Sequence, residues 1–247
     1  MKRIIADAFF TPSIHGRYFR DVNEFGQEPI WADPIFKIYF KNAIVDSKVN
    51  RVNYLKEISS RVLALIVLTI FAPVMIAIAV GIHFTMPGKI FYRQTRVGKN
   101  GRLFDVLKFR SMIENAEDET GHTLSWDGDP RITKFGSFLR KSHLDELPQL
   151  INVLLGDMYF IGPRPERPEF TNIYEETIRG YADRHSVKPG ITGLAQLACK
   201  YDATASEKLK FDLMYIARRD SFILNFLIAW HTSMKMLFMR STANILK

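Results

Sequence analysis

The longest apolar stretch of the chain runs from Val62 to Phe84 without a charged residue. A run of that length can enter or cross a bilayer as a helix; a wholly buried core helix is the alternative. Pro73 lies near its middle, where the missing N–H predicts a kink or a break. Basic residues flank both ends: Arg51, Lys56 and Arg61 before it, Lys89, Arg93, Arg96 and Lys99 after it. A spanning helix carries its Lys and Arg excess on the cytoplasmic side only. Symmetric flanks and a central proline therefore predict a re-entrant helix that enters one leaflet, turns, and leaves on the face it entered.

Shorter patterns follow. Residues 90–97 and 102–110 are β-prone runs on either side of Gly98-Lys99-Asn100-Gly101, and Asn-Gly in that setting predicts a hairpin. The hairpin is basic, which suits a ligand role and a solvated edge strand alike. Residues 112–119 read as an acidic helix and 121–130 as a loop. Leu147, Leu150, Ile151, Leu154 and Leu155 share one helix face, with Gly156 as the stop. Proline is tolerated only in a first turn, so Pro148 makes Asp145 the N-cap and Glu146 the first helical residue. By local rules alone these two acids are ordinary caps. Residues 206–218 read as a helix. Beyond them Phe222, Ile223, Phe226, Leu227 and Trp230 recur at helical spacing, as a core-packed or a membrane-surface helix would require. Residues 1–50 mix aromatics with Pro12, Pro29 and Pro34 and read as short elements of an appended segment.

Composition narrows the partners. The 247 residues carry a formal charge of +8, favouring phosphates, nucleic acid or an acidic membrane face. Cys199 is the only cysteine, which excludes an intrachain disulfide and zinc ribbons. Charges at Lys2, Arg3 and Asp7 come too early for a secretory signal. Arg131, Lys134, Arg140 and Lys141 precede the acid pair, and Arg164 stands between Pro163 and Pro165. A fork on so stiff a backbone suits bidentate phosphate recognition. Lys188-Pro189-Gly190 is a second stiff turn.

The apolar segment is followed in order by Arg-Gln-Thr-Arg-Val-Gly-Lys-Asn-Gly (93–101), Lys-Phe-Arg-Ser-Met (108–112), Asp-Pro-Arg-Ile-Thr (129–133) and Leu-Asp-Glu-Leu-Pro-Gln-Leu-Ile-Asn-Val (144–153). Gly-Asp-Met (156–158), Gly-Pro-Arg-Pro-Glu (162–166) and Pro-Gly-Ile-Thr-Gly (189–193) complete the series. Over roughly residues 56–237 this resembles the bacterial sugar transferase family, the monotopic polyprenyl-phosphate phosphoglycosyl transferases. The resemblance implies transfer of a sugar-1-phosphate from a nucleotide diphosphate sugar, a UDP-sugar foremost, to polyprenyl (undecaprenyl) phosphate. Such a step initiates exopolysaccharide, lipopolysaccharide or related glycan assembly. It further implies that Asp145 attacks the sugar-bearing phosphate to form a covalent phosphosugar intermediate. Glu146 pairs with it, as a proton acceptor, a Mg²⁺ holder or an orienter of the acceptor. Mg²⁺, held by Asp145, neutralises the pyrophosphate.

Arg131, Arg140 and Arg164 are the leading phosphate clamps, with Lys108 and Arg110 next. Asp145 is expected to point at metal or phosphate, leaving Ser142 or water to serve the helix N–H groups. The expected fold is mixed α/β and helix-rich: a small membrane-associated catalytic domain with a basic β-hairpin, a proline-broken re-entrant membrane helix and amphipathic surface helices. Residues 1–50 form the extension, 51–88 the membrane helix with its break at Pro73, and 89–247 the catalytic domain. Its expected place is the cytoplasmic face of the bacterial inner membrane. Nucleic acid is not expected as a partner, and a homo-oligomer is compatible with the chain.

Several positions depart from the family pattern. Lys56, Glu57 and Ser60 stand where a Lys-Arg pair and a later aspartate are common, and Ala72 replaces a frequent serine. Ala198, Cys199 and Lys200 replace Asn-Gly-Arg after Gln196. Two other classes fit parts of the pattern: a basic binding module, which leaves the acid pair idle, and a Mg²⁺-dependent nucleotide-sugar hydrolase, which needs no lipid segment.

Overall fold

The computed structural model describes residues 52–116, 126, 128–199 and 203–242. The expected 1–50 extension, the 117–125 stretch and Lys200 lie outside them. The apolar run forms helix α1, Val52–Thr85. Among the described residues it alone is long and apolar enough to cross a membrane, and only 11% of its most apolar window is buried. A core helix would be covered, so that alternative fails. Pro73 does not break α1, contrary to the expectation: the helix is one element of 34 residues with the proline inside it. One missing N–H bond costs about 3 kcal/mol, and both halves are held from outside. Ala64 packs with Val106, Val153 and Met158, while Ile78 and Ile82 pack with Phe109 and Leu139.

Strands β1 (Phe91–Val97) and β2 (Leu103–Phe109) pair antiparallel, with Phe91 opposite Phe109 and Val97 opposite Leu103. The turn between them places Asn100 at φ 56°, a left-handed conformation that asparagine tolerates better than most residues. Past β2, the expected helix at 112–119 does not form in its described part. Met112 bridges Ile132 instead, and the Ile113 N–H donates to the Arg131 carbonyl at 2.9 Å. Helix α2 (Lys134–Lys141) starts at Thr133, whose side chain accepts from the Gly136 N–H. A Cβ on Gly136 would stand 1.8 Å from the Ser111 carbonyl oxygen, so only glycine allows this approach.

After α2 the chain turns at His143, φ 55°, into a 3₁₀ turn at Leu144–Glu146. Helix α3 then runs Gln149–Leu155 with Pro148 at its N-cap. This corrects the expected start: Asp145 caps no helix, and the acid pair occupies a separate tight turn. Proline at the cap needs no N–H partner, so the α-helix begins three residues later than expected, at Gln149 and not at Glu146. Gly156, φ 91°, closes α3 as expected.

Asn152 of α3 ties the two halves together. Its amide accepts from the Leu107 N–H at 2.9 Å and donates to the Asp105 carbonyl at 2.7 Å, pairing with β2 as a further strand would.

Strands β3 (Tyr159–Ile161) and β4 (Gly190–Thr192) pair parallel. Between them lie helix α4 (Pro168–Thr177) and a 3₁₀ turn at Tyr181–Ser186. Helices α5 (Leu194–Ala198) and α6 (Ala205–Ala217) follow, the latter opened by a Thr204–Glu207 capping box. Helix α7 (Phe222–Thr242) has both a core-packed face and an exposed apolar one. Leu224, Leu227 and Ile228 join the core of Phe211 and Tyr215, while Phe222, Phe226 and Trp230 are exposed and stack in sequence at 6.4 and 6.5 Å.

Two measurements test this architecture in detergent-solubilised protein. Asn152→Ala leaves a part-buried N–H and a part-buried carbonyl unpaired, at up to about 1–3 kcal/mol each; a thermal unfolding midpoint within 1–2 °C of wild type would contradict the tie. Burial and Arg184 also pull the His185 imidazole down to about 4, although Glu175 Oε1 lies 3.2 Å from its Nδ1. A histidine held below its ordinary value of about 6.5 stabilises the fold when neutral. That contribution is present above about pH 6.5 and is lost on acidification towards 4. His185→Gln should flatten the decline.

Candidate functional site

Four segments converge on the acid pair. Glu146, in the 3₁₀ turn, accepts from Lys108 Nζ of β2 at 2.8 Å and from Arg164 NH2 at 2.5 Å. Arg164 comes from the Gly-Pro-Arg-Pro segment, and its NH1 also reaches the Ile191 carbonyl at 3.5 Å. Burial alone would raise the Glu146 carboxyl, but Arg164 and Lys108 outweigh it and hold the group well below the usual carboxylate range. Burial conversely pulls the Lys108 ammonium down, with Glu146 opposing. Glu146 is therefore ionised and fully engaged.

Asp145 is different. It is buried, and among the described residues no hydrogen bond or ion pair engages its carboxylate. Burial pushes its pKa up; Lys108 and Arg140 pull it back, and Glu146 adds to the rise. The expected service of Ser142 to the helix start is not seen: its hydroxyl donates backwards to the Phe138 and Leu139 carbonyls at 2.8 and 3.1 Å. With Pro148 at the cap, α3 needs no such help.

The five cations expected at phosphates divide. Lys108 and Arg164 stand at the acid pair. Arg140, in the last turn of α2, is near enough to act on Asp145 electrostatically. Arg131 is committed elsewhere: its Nε and NH2 fork onto Asp129 at 2.9 and 2.7 Å, and its guanidinium lies 5.1 Å from the centre of the Trp126 ring. Arg110 donates to the carbonyls of Met86 and Pro87 just beyond α1. That serves orphan acceptors at a helix end.

A single carboxylate with free oxygens suits Mg²⁺, which keeps several waters and takes one or two carboxylates plus substrate phosphates. No group of three or more acidic, histidine or cysteine side chains gathers among the described residues, so an all-protein cage is absent there. The unengaged, charge-crowded Asp145 fits the ion; Glu146, already occupied, does not.

Other contacts were not legible beforehand. Arg96 donates to the Pro165 carbonyl at 3.1 Å and faces Glu166 at 3.6 Å, fastening the hairpin to the arginine segment. Glu57 accepts from Lys188 Nζ at 2.6 Å, Arg61 NH2 at 2.8 Å and Tyr159 OH at 3.0 Å. Glu57 and Lys188 had signals of their own, as a departure from the family pattern and as part of a stiff turn, but nothing in the sequence pairs them. A cavity of about 150 Å³ lies beside this cluster, lined by Lys56, Lys99, Tyr215 and Arg219 among others.

The family model for bacterial sugar transferases matches residues 51–239. Two proteins named UDP-glucose:undecaprenyl-phosphate glucose-1-phosphate transferase are similar. That of Xanthomonas campestris pv. campestris is 45% identical over 180 residues, covering 69% of this chain and 37% of that protein. That of Escherichia coli (strain K12) is 39% identical over 218 residues, covering 86% and 44%. A UDP-N-acetylgalactosamine-undecaprenyl-phosphate N-acetylgalactosaminephosphotransferase of Aeromonas hydrophila is 44% identical over 172 residues, covering 68% and 40%. The chain thus spans less than half the length of these relatives. The match itself takes in α1, the hairpin, the acid pair and the arginine segment together, and so the chain belongs to the bacterial sugar transferase family.

Proposed function

We propose that the chain transfers a sugar-1-phosphate from a nucleotide diphosphate sugar to a polyprenyl phosphate, releasing the nucleoside monophosphate. The observation that carries this is the pairing of a buried, unengaged Asp145 with a Glu146 clamped by Lys108 and Arg164. The relatives' names put a UDP-sugar and undecaprenyl phosphate first as substrates and differ in the sugar. Polysaccharide initiation is the corresponding role; one further relative, from Rhizobium leguminosarum bv. phaseoli, is named for exopolysaccharide production.

In the proposed first step a carboxylate oxygen of Asp145 attacks the sugar-bearing phosphorus. An aspartyl–phosphorus bond forms, and the bond to the departing nucleoside monophosphate breaks. In the second step a phosphate oxygen of the polyprenyl phosphate attacks the same phosphorus. This frees Asp145 and leaves a polyprenyl diphosphate sugar. Neither step demands a base, because a phosphate monoester is mostly dianionic near neutrality. Glu146 is correspondingly held as a carboxylate too acidic to take a proton there. It aligns the Lys108 and Arg164 charges, and Arg164, 40% exposed, keeps donors for a phosphate. Mg²⁺ at Asp145 would supply charge neutralisation of the diphosphate.

The proposed setting is the cytoplasmic face of the inner membrane, with α1 bending at Pro73 while remaining one helix, so that it enters and leaves on one side. Support comes from its two ends. Glu57 is bonded to Lys188 and Tyr159, while Arg110 holds the carbonyls at Met86 and Pro87. A helix crossing the bilayer would separate those ends by its full span, yet both are fastened to the same domain. The exposed Phe222, Phe226 and Trp230 suit the adjoining interface.

Purified protein with Mg²⁺ and a panel of nucleotide sugars, with polyprenyl phosphate added or withheld, tests the reaction. Lipid-dependent monophosphate release is expected; steady release without lipid would mean hydrolysis, and silence across the panel a binding module. Asp145→Asn should reduce release to background while leaving the unfolding midpoint in place, because the side chain caps nothing and fits the same space. Substantial residual turnover would remove Asp145 as nucleophile. For the topology, Asn50→Cys and Thr95→Cys in a Cys199→Ser background should both resist a membrane-impermeant thiol reagent in spheroplasts and both react after lysis. Labelling of one end alone from outside would show a crossing helix.

A further inference from the structure

We propose that Arg184 and Asp212 are a buried positioning pair that sets the backbone of Arg164 and thereby the clamp on Glu146; the proposal rests on the transferase reading above. The segment Pro163-Arg164-Pro165 has two residues without an N–H, so it is anchored mainly through its carbonyls. The Pro163 carbonyl accepts from the Gly190 N–H at 2.9 Å, and the Glu166 carbonyl from the Val97 N–H at 2.9 Å. The Pro165 carbonyl accepts from Arg96 at 3.1 Å. At Arg164 itself the carbonyl accepts from Arg184 NH2 at 2.8 Å. The residue whose fork grips Glu146 is thus held from behind by a second arginine.

Arg184 is in turn immobilised. Its NH2 lies 2.8 Å from Asp212 Oδ2 on α6, its NH1 bonds the Tyr181 hydroxyl at 2.5 Å, and its guanidinium sits 5.0 Å from the centre of that ring. The side chains of Arg184 and Asp212 are only 5% and 2% exposed. The approach to Asp212 is off the hydrogen-bond axis, since Oδ2 has no aligned donor and the Arg184 Nε has no acceptor. Burial pushes the Asp212 carboxyl up to about 6 against the pull of Arg184. A buried pair in this state is a poor source of stability. What it does provide is geometry, because it places one charged N–H against the carbonyl of Arg164. Asp212 also stands on the helix that follows the stretch 198–200, where the chain departs from the family pattern.

The alternative is that the pair merely ties the Tyr181–Ser186 turn to α6. A double-mutant cycle separates the two. In the full chain, Arg184→Lys keeps the charge and loses the fork. It should lower kcat at least tenfold with less than a threefold change in donor KM. In an Arg164→Lys background the same substitution should change kcat by less than twofold, since the fork it positions is already gone. Equal losses in both backgrounds would overturn the proposal, as would an unchanged kcat in the single variant. Asp212→Asn, nearly isosteric, carries the same cycle if Arg184→Lys fails to fold. Hydrogen exchange supplies a readout independent of turnover: the 159–166 peptide should exchange faster in the variants while the unfolding midpoint stays put. Unchanged exchange there would overturn the positioning role even if the wild type transferred nothing, an outcome that would separately remove the transferase reading.

Discussion

Glu146 lies between Lys108 and Arg164, and these three charges meet where a hairpin, a 3₁₀ turn and a proline-stiffened segment would otherwise have little reason to touch. Each partner is partly withdrawn from water. Removing Glu146 would leave two partly buried cations without their counter-charge, whereas the intact set contributes modestly. The clamp is therefore better understood as a constraint on placement than as a source of stability. Asn152 enforces the same placement from below. Its amide bonds β2 on either side of Val106, two residues before Lys108, while α3 carries it a short distance past Glu146.

The helix α1 extends this logic to the membrane. Its outward face exposes Leu65, Ile66, Ile70, Val74 and Ile76, a surface that water would not tolerate along such a length. Its inward face meets the domain at Ala64 and again at Ile78 and Ile82. Gly81 admits the Phe135 ring of α2, where a Cβ would stand 2.7 Å from the ring edge. The same helix that α3 packs against through Ala64 and Val153 thus bears on α2, which leads into the acid turn. Membrane seating and site geometry share one packing surface.

What the sequence disclosed follows physical range. The apolar run, the strand pairing around Asn100 and the Gly156 stop all depend on neighbours within a few residues. They were legible. The helix start at Gln149 was not, because apolar periodicity does not distinguish a 3₁₀ turn followed by a capping proline from one continuous helix. Pro73 predicted a break because local rules count the lost bond and not the packing on both sides of it. Arg110 and Arg131 read as phosphate ligands since a cation's sequence neighbourhood does not reveal whether a buried carbonyl or Asp129 has already claimed it. The clamp on Glu146 joins residues 38 and 18 positions away, and no periodicity reports such pairs. Only the ordered motifs hinted that they belong together.

Two neighbouring carboxylates with opposite tendencies are the chemical core of the site. Carboxyl pairs in which environment pushes the pKa values apart divide their roles, and here the division follows from partners. Glu146 has two cations in contact and is driven far towards the ionised form. Asp145 has none in contact and is driven towards neutrality by burial. An aspartate in that condition is poorly solvated and unpaired when ionised, as the proposed attack on phosphorus requires. Had Asp145 capped the helix, its oxygens would have been spent on backbone N–H groups and its nucleophilicity lowered. The 3₁₀ turn at 144–146 and the proline cap at 148 resolve that competition: a residue without an N–H occupies the cap, and the aspartate is left unengaged, as the proposed role needs.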